Sequence, residues 1–333
     1  MFIILIILIL FLLYFTQYTP LSECYNRVFP PILSDLNEIF YIAKTPLKPL
    51  KSSIKLFIKD KKLPDFFLYK PKYFSEVRDQ GRCGSCWSFV ICSMLSDDIT
   101  TKILKFGKNL SVEQLISCYP NANPCDGEAP EDVLIWLEKT QFKISIDNKY
   151  TQKKELCVQS ETGITVQKNS VKSLCKYVKR ESITNPTTEE DTLIKNNIYN
   201  MKMQLYTQGP FFGSISIYRD FLNFKGDSVY KKTSNDFIGG HAIEIIGWCN
   251  PGVDLRKGFE DGYWICKNSW GKKWSYEYDL PGHFAIKMGV NESGIESRSG
   301  CAETNVKYIL DSSSIPAILV FNNYIDYITR NKY

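Results

Sequence analysis

The chain has 333 residues, room for two average domains or one large one. With 23% charged and 44% hydrophobic residues its composition is that of an ordinary globular protein, and a formal charge of +5 without a dense basic run gives no sign of a nucleic-acid partner. Only two histidines occur, His241 and His283, so chemistry that needs an imidazole has almost no freedom of assignment.

Residues 2–15 are uncharged and almost wholly apolar. That stretch suits the core of a secretion signal better than a bilayer span, which needs about 20 residues. It lacks a basic start and an evident small-residue cleavage site, so residues 1–17 read as a signal peptide or an uncleaved anchor. Either reading sends the rest into an oxidising compartment: lysosome-like, secreted, or membrane-anchored and lumenal. Eleven cysteines fit such a place. Membrane contact is expected only through this segment. Residues 18–62 form a polar stretch with five prolines between Pro20 and Pro49 and a helical spacing at 32–43.

Residues 78–90, Arg-Asp-Gln-Gly-Arg-Cys-Gly-Ser-Cys-Trp-Ser-Phe-Val, lead into the first strongly periodic segment. From Trp87 an apolar stripe runs through Phe89, Val90, Met94, Leu95, Ile99 and Ile103 at helical spacing, which predicts a buried helix with Cys86 in its first turn. The positive end of a helix and its unsatisfied N–H groups favour a thiolate, so Cys86 is the expected nucleophile. Ser111 to Gln114 reads as a capping box opening a second helix, and a third is expected at 131–139. Residues 140–186 are irregular and lysine-rich, with Cys157 and Cys175 as expected staples. Thr187 to Glu190 is another capping box, opening a helix to about Thr207 that Gly209-Pro210 ends.

The periodicity then becomes strand-like, at 211–218, 227–231, 241–248, 262–267 and 283–288. Helices early and strands late predict an α+β fold of two lobes with a cleft between them, Cys86 on the helical lobe and His241 on the β lobe. Cys92 and Cys266 read as free core cysteines, and His283, in a strand pattern, as structural. Asn109-Leu110-Ser111 and Asn291-Glu292-Ser293 are glycosylation sequons, a short and common pattern. The tail 306–333 holds an apolar run, Ile315–Phe321, too short to span a membrane.

Five further stretches stand in order: LSVEQLISC at 110–118, CDG at 125–127, QGPFFGSISIYRDFLNFKGDSVY at 208–230, GGHAIEIIGW at 239–248 and YWICKNSWG at 263–271. With the Cys86 segment they resemble the papain-like cysteine proteases, most of all the cathepsin B and cathepsin X branches, over about residues 63–300. The resemblance implies a peptidase domain at 63–305, with a helical lobe and a β-barrel-like lobe, acting on polypeptide substrates with no cofactor and no metal. It makes 18–62 a short propeptide, inhibitory in cis, with Lys59–Lys62 as a processing site before Leu63-Pro64. Cathepsin X has a prosegment cysteine that caps its nucleophile, and Cys24 is the candidate for that role toward Cys86. By resemblance Cys83 pairs with Cys125, and Cys118 with Cys157 or Cys175.

Amide hydrolysis through a thiol needs a base, an orienter for the base and an oxyanion stabiliser. The resemblance gives these roles to His241, to Asn268, and to the Gln80 amide with the Cys86 backbone N–H, while Trp270 shields the His241–Asn268 bond. Gly127 and Glu128 line the substrate cleft, Glu128 replacing a glycine and narrowing it. Arg298 aligns with the floor of the pocket for the second residue upstream of the scissile bond, where a guanidinium would either admit acidic side chains or turn to solvent. The insertion Ser275–Pro281 alters a loop on the leaving-group side. Residues 126–240 hold no histidine, so the paired-histidine loop behind cathepsin B's dipeptidase activity is missing and an endopeptidase is expected. Three other readings fit some of these residues: a catalytically weak binding protein of the same fold, a thiol-disulfide oxidoreductase using Cys83 and Cys86, and a zinc site from Cys83, Cys86, Cys118 and Cys125.

Overall fold

The computed structural model describes residues 63–69, 75–102, 109–120, 123–147, 149–161, 163–275 and 278–305, with no side chains for 100–102. The leader, the segment 18–62 with Cys24, the Lys59–Lys62 site, Ile103 and the tail from 306 lie outside them. Two compact units divide the chain, Met1–Phe66 and Phe67–Tyr333. Only residues 63–66 of the first are described, and the elements from Phe67 onward are those of the second. No helix of the described residues is long and apolar enough to cross a membrane.

After a short strand, β1 (Phe66–Leu68), the helices come first: α1 (Cys86–Lys102), α2 (Val112–Cys118) and α3 (Pro130–Thr140). Trp87, Phe89, Val90, Met94, Leu95 and Ile99 of α1 are buried, and so are Ile91 and Cys92 between them. The stripe seen in the sequence is therefore part of a helix enclosed nearly all round. It packs on α2 and α3 and on the strands β3 (Phe211–Tyr218) and β4 (Phe237–Cys249). A helix clad on all sides is the natural spine between two lobes.

Ser111 caps α2, its Oγ accepting from the Gln114 N–H at 3.1 Å. The reciprocal half of the expected capping box is absent. Gln114 instead donates to the Val158 carbonyl at 2.9 Å and accepts from the Ser145 N–H at 2.7 Å, tying α2 to the irregular stretch beyond α3. At α4 (Thr188–Thr207) both halves of the box are present, through Thr187 and Glu190. Residues 140–186 contribute one two-residue strand, β2 (Lys172–Ser173).

A single turn, α5 (Arg219–Leu222), follows β3; β5 (Tyr263–Lys267), β6 (His283–Lys287) and β7 (Ser299–Cys301) complete the sheet. Six strands lie in the order β2–β7–β3–β4–β5–β6, every pair antiparallel. The α+β class expected from sequence is the one found. Expected strand 227–231 reduces to one bridge, Tyr230 to Ile286. Val229 bonds the Gly258 carbonyl and Tyr230 the Ala285 carbonyl, so its neighbouring N–H groups go to two different segments and no ladder forms. Conversely β4 begins four residues before His241, because Gly239 and Gly240 pair with Ile217 and Ser216 of β3. His241 thus sits within a strand rather than at its start. Gly247 is where that strand meets the chain's own backbone: a Cβ there would lie 2.6 Å from the Phe67 carbonyl oxygen.

Candidate active site

Cys86 is the first residue of α1 and is buried. The turn before it is fixed from several sides. Cys83 is bonded to Cys125, and the Gly84 N–H donates to the Cys125 carbonyl at 3.0 Å. A Cβ on Gly84 would stand 2.3 Å from that carbonyl oxygen, so only glycine lets the two segments close. Trp87 donates its indole N–H to the Pro124 carbonyl at 3.0 Å. Cys118 is bonded to Cys157, leaving Cys175 a thiol rather than a staple. Both bonds enclose about forty residues, and the chain-entropy account gives each about 4 kcal/mol.

These pairings remove two of the sequence-based alternatives. Cys83 has its partner in Cys125, so no Cys83–Cys86 redox couple exists, and the four-cysteine zinc site loses three of its ligands. Cys92 and Cys266 are buried thiols.

His241, on β4, donates from one ring nitrogen, Nε2, to Asn268 Oδ1 at 2.7 Å, just beyond the end of β5. The Ser269 N–H donates to the same oxygen at 2.8 Å, which settles which end of the amide faces the imidazole. Nδ1 is then the nitrogen free to take a proton. Trp270 covers the pair, its ring centroid 4.8 Å from that of His241. Phe221 and Trp274 brace Trp270 in turn. Burial lowers the His241 pKa to about 4, opposed by the bond to Asn268. Burial likewise pushes the Cys86 thiol up, opposed by the backbone N–H groups of Ala242, Trp87 and Cys86 itself, which face the sulfur. Burial disfavours either charge on its own here. The Ala242 contact places the sulfur beside the residue that follows His241.

Gln80 is held by five hydrogen bonds, one of them from the Cys83 N–H to its carbonyl at 3.4 Å. Its N–H donates to the Ser269 carbonyl at 2.8 Å, its Oε1 accepts from Ser269 Oγ at 2.6 Å, its Nε2 donates to the Cys83 carbonyl at 2.9 Å and its carbonyl accepts from the Tyr150 hydroxyl at 2.9 Å. One N–H of the side-chain amide stays free to donate. Ser269 and Tyr150 carry no sequence signal of their own. Ser269 stands in the asparagine motif without a separate role there, and Tyr150 lies in a lysine-rich stretch without periodicity.

Gly127 takes φ +96° with open space where a Cβ would stand, and Glu128 is half-buried, its charge helping burial to raise the Tyr119 phenol. Arg298 neither offers a bare cation nor turns to solvent. Its Nη2 donates to Glu181 Oε1, to Ser216 Oγ at 3.2 Å and to the Ser293 carbonyl at 3.3 Å, and Glu181 also accepts from Ser216 Oγ at 2.9 Å and from the Tyr218 hydroxyl at 3.2 Å. Ser216 stands opposite Gly240, one residue from His241. Of the described residues in the insertion at 275–281, Tyr278 is buried against Phe259, and the exposed Asp279 pairs with Arg256 at 2.6 Å. His283 is buried at the head of β6, its Nδ1 3.1 Å from the Pro281 carbonyl. Among the described residues no group of three or more His, Cys, Asp or Glu is placed to hold a metal.

A family profile described as papain family cysteine protease matches residues 63–302. A gut-specific cysteine proteinase of Caenorhabditis elegans is 30% identical over 66% of this chain and 66% of its own length. The cathepsin B-like cysteine proteinase 6 of the same worm is 30% identical over 66% of this chain and 60% of its own, so the chain spans under two thirds of that relative. The cathepsin B-like CP2 of Giardia intestinalis is 28% identical over 71% of this chain and 73% of its own. Among solved structures, a procathepsin B from Trypanosoma congolense superposes with a TM-score of 0.57 at 19% identity, covering 79% of this chain and 83% of that one. The digestive procathepsin L 3 of Tenebrio molitor gives 0.55 at 22%, over 74% and 71%. These two likenesses establish a common fold.

Proposed function

The chain belongs to the papain family of cysteine proteases, and on that footing we propose that it is a cysteine endopeptidase made as a zymogen. What supports this reading is a helix-N-terminal thiol that meets the backbone of Ala242, the residue after a histidine whose Nε2 is bonded to an asparagine. Proton transfer from Cys86 to His241 Nδ1 gives the thiolate–imidazolium pair without changing the net charge of the site. The thiolate attacks the scissile carbonyl, and the oxygen that becomes negative is met by the Cys86 N–H and the free Gln80 amide N–H. The imidazolium then protonates the leaving amine, and water, deprotonated by His241, hydrolyses the acyl-enzyme.

The lack of any histidine between residues 126 and 240 supports internal cleavage over removal of C-terminal dipeptides. The polar segment before Leu63 and the apolar leader support a secreted or lumenal zymogen with an inhibitory prosegment, and the similar solved structures are themselves described as proenzymes. Cys24 as a reversible cap on Cys86 belongs to the same reading. A Cys24→Ser zymogen should then react with thiol probes, and unchanged reactivity would remove the cap from the mechanism.

The deciding experiment is labelling of the acid-processed protein with an epoxysuccinyl inhibitor, located by peptide mass spectrometry. Label confined to Cys86, lost in His241→Ala and accompanied by cleavage of a peptide substrate, is the expected result. No label after prosegment removal and thiol reduction would leave a protein that keeps the fold without the chemistry.

A further inference from the structure

The segment Tyr150–Gln152, deep in the irregular part of the chain, clasps the turn that leads to Cys86. Gln152 Oε1 accepts from the Arg82 N–H at 3.0 Å, and its side chain fills the space beside Gly81 so closely that a Cβ there would lie 2.4 Å from it. Thr151 donates from its N–H and its hydroxyl to the Glu113 carboxylate at 2.7 and 2.8 Å, anchoring the segment on α2. Between these two points Tyr150 reaches the turn itself. Its hydroxyl lies 2.6 Å from Ser85 Oγ and 2.9 Å from the Gln80 carbonyl oxygen. A carbonyl only accepts, so the phenol's single proton goes to Gln80 and Ser85 donates to the phenol. The Phe89 ring stands edge-on to Tyr150 at 4.8 Å.

The consequence is a relay joining the residue just before the nucleophile to the residue whose amide faces it. Gln80 and Ser85 lie five positions apart with no bond between them, and the Tyr150 hydroxyl is what connects them. The Tyr150 hydroxyl is the one partner of Gln80 that comes from neither Ser269 nor the turn's own backbone, and it shares the Gln80 carbonyl with the Cys83 N–H at 3.4 Å. Building on the peptidase reading above, we propose that Tyr150 is a positioning residue for the oxyanion site, holding Gln80 and the N-terminal residue of α1 in register through its hydroxyl. Burial raises the phenol's pKa, and the charges of Glu113, Asp79 and Cys86 add to this against the Ser85 hydrogen bond; the net rise favours the hydroxyl keeping its proton.

The test separates two reactions of the same sulfur. Peptide hydrolysis and hemithioacetal formation with a peptide aldehyde both put negative charge or a polarised oxygen into the oxyanion site. Alkylation by iodoacetamide displaces iodide at a saturated carbon and uses no such site. Tyr150→Phe should lower kcat about tenfold at nearly unchanged KM, short of the 10²–10³ that follows outright removal of a donor. The aldehyde's inhibition constant should rise by a similar factor, while the rate and pH profile of Cys86 alkylation stay put. Equal loss of hydrolysis and alkylation would mean that Tyr150 only supports the fold, and hydrolysis within about twofold of wild type would mean that it does nothing. Either overturns the proposal. Ser85→Ala removes the other arm of the relay; should Tyr150→Phe fail to fold, it must show the same split between hydrolysis and alkylation, and its failure to do so overturns the proposal equally. A wild-type protein that neither hydrolyses peptides nor alkylates at Cys86 sinks the peptidase reading. One that does both while the variants behave as wild type sinks only this inference.

Discussion

Arg298 illustrates how far a residue's identity can mislead about its charge. Aligned by motif, it reads as a cation facing substrate; in place, Glu181 takes its guanidinium and Ser216 and Tyr218 share the carboxylate. The strand face that carries Ser216 runs by way of Ser214 to Ala242, which faces the Cys86 sulfur. One two-residue step along a strand is about 6.6 Å, so the pair lies within reach of a side chain two residues from the scissile bond. Paired in this way the pocket is close to neutral, and the wild type should cleave peptides with uncharged residues there in preference to acidic ones. Glu181→Gln frees the guanidinium. The ratio of kcat/KM for an acidic over a neutral residue at that position should rise about tenfold, the scale of one charge-assisted hydrogen bond. A ratio that stays put would place the pair outside the substrate pocket. At Gln80 the expectation is cruder: Gln80→Ala should cost about 10²–10³ in kcat if its amide meets the oxyanion. None of Glu181, Ser269 or Tyr150 is legible in the sequence. Each acts across 35 to 189 positions, where no local pattern carries information.

Two helices with similar opening sequences end differently, and competition for one side chain is the reason. Thr187-Thr-Glu-Glu190 forms both halves of its capping box because nothing else competes for Glu190 beyond the exposed Arg180, which pairs with the same carboxylate. Ser111-Val-Glu-Gln114 forms one half, because Ser145 and Val158 bind the glutamine. Local chemistry therefore fixes where a helix starts, and tertiary partners decide how its side chains are used. The cap at α4 is solvent-exposed and remote from Cys86, so Thr187→Ala should cost about 1 kcal/mol, read as a lowered urea midpoint with unchanged slope and unchanged kcat. A loss of activity beyond the loss of folded protein would show that α4 is coupled to the site. The same contrast explains the sheet. β3, β5 and β6 are readable because alternating or continuous apolar runs announce them, as in Phe211–Tyr218. Gly239 and Gly240, near the start of β4, have no strand propensity and are held extended by their partners on β3. Residues 227–231 have the propensity, but their N–H groups go to two different segments and no ladder forms.

Between the helical and β layers lies a charged cluster that the sequence does not announce. Lys267, on the strand that leads to Asn268, pairs with Asp97 of α1 at 3.0 Å and Glu244 of β4 at 3.4 Å, and Ser93 donates to Glu244 at 2.6 Å. Arg78, Ser93, Glu244, Lys267, Asn268 and Ser269 are among the residues that line one small cavity. Burial raises the Glu244 pKa, Asp97 adds to the rise, and the Lys267 charge only partly offsets them. Elsewhere burial raises Glu296 to about 7 although Trp264, Gly289 and Asn291 donate to it. A carboxyl whose folded pKa exceeds its unfolded value of about 4.3 stabilises the fold in acid, and that contribution is lost as pH rises toward the folded value. His283, which takes no part in the proposed Cys86–His241 proton transfer, acts in the opposite sense. Burial, with the Lys267 charge adding, depresses it to about 3, so its contribution is complete above the unfolded value near 6.5 and lost as pH falls toward 3. Between about 4.5 and 6.5 the two effects oppose each other, while below that window only the histidine loss operates and above it only the carboxyl loss. Thermal unfolding of the processed protein from pH 3 to 8 should therefore show a plateau near pH 4.5–6.5 with a fall on both sides. Glu244→Gln keeps an acceptor for Ser93 and Lys267 but cannot ionise, so it should flatten the fall above pH 6.5 and leave the acid side unchanged. A wild-type midpoint that keeps rising to pH 8 would show that Glu244 and Glu296 are ionised in the fold at neutral pH, with Lys267 holding the Glu244 charge outright.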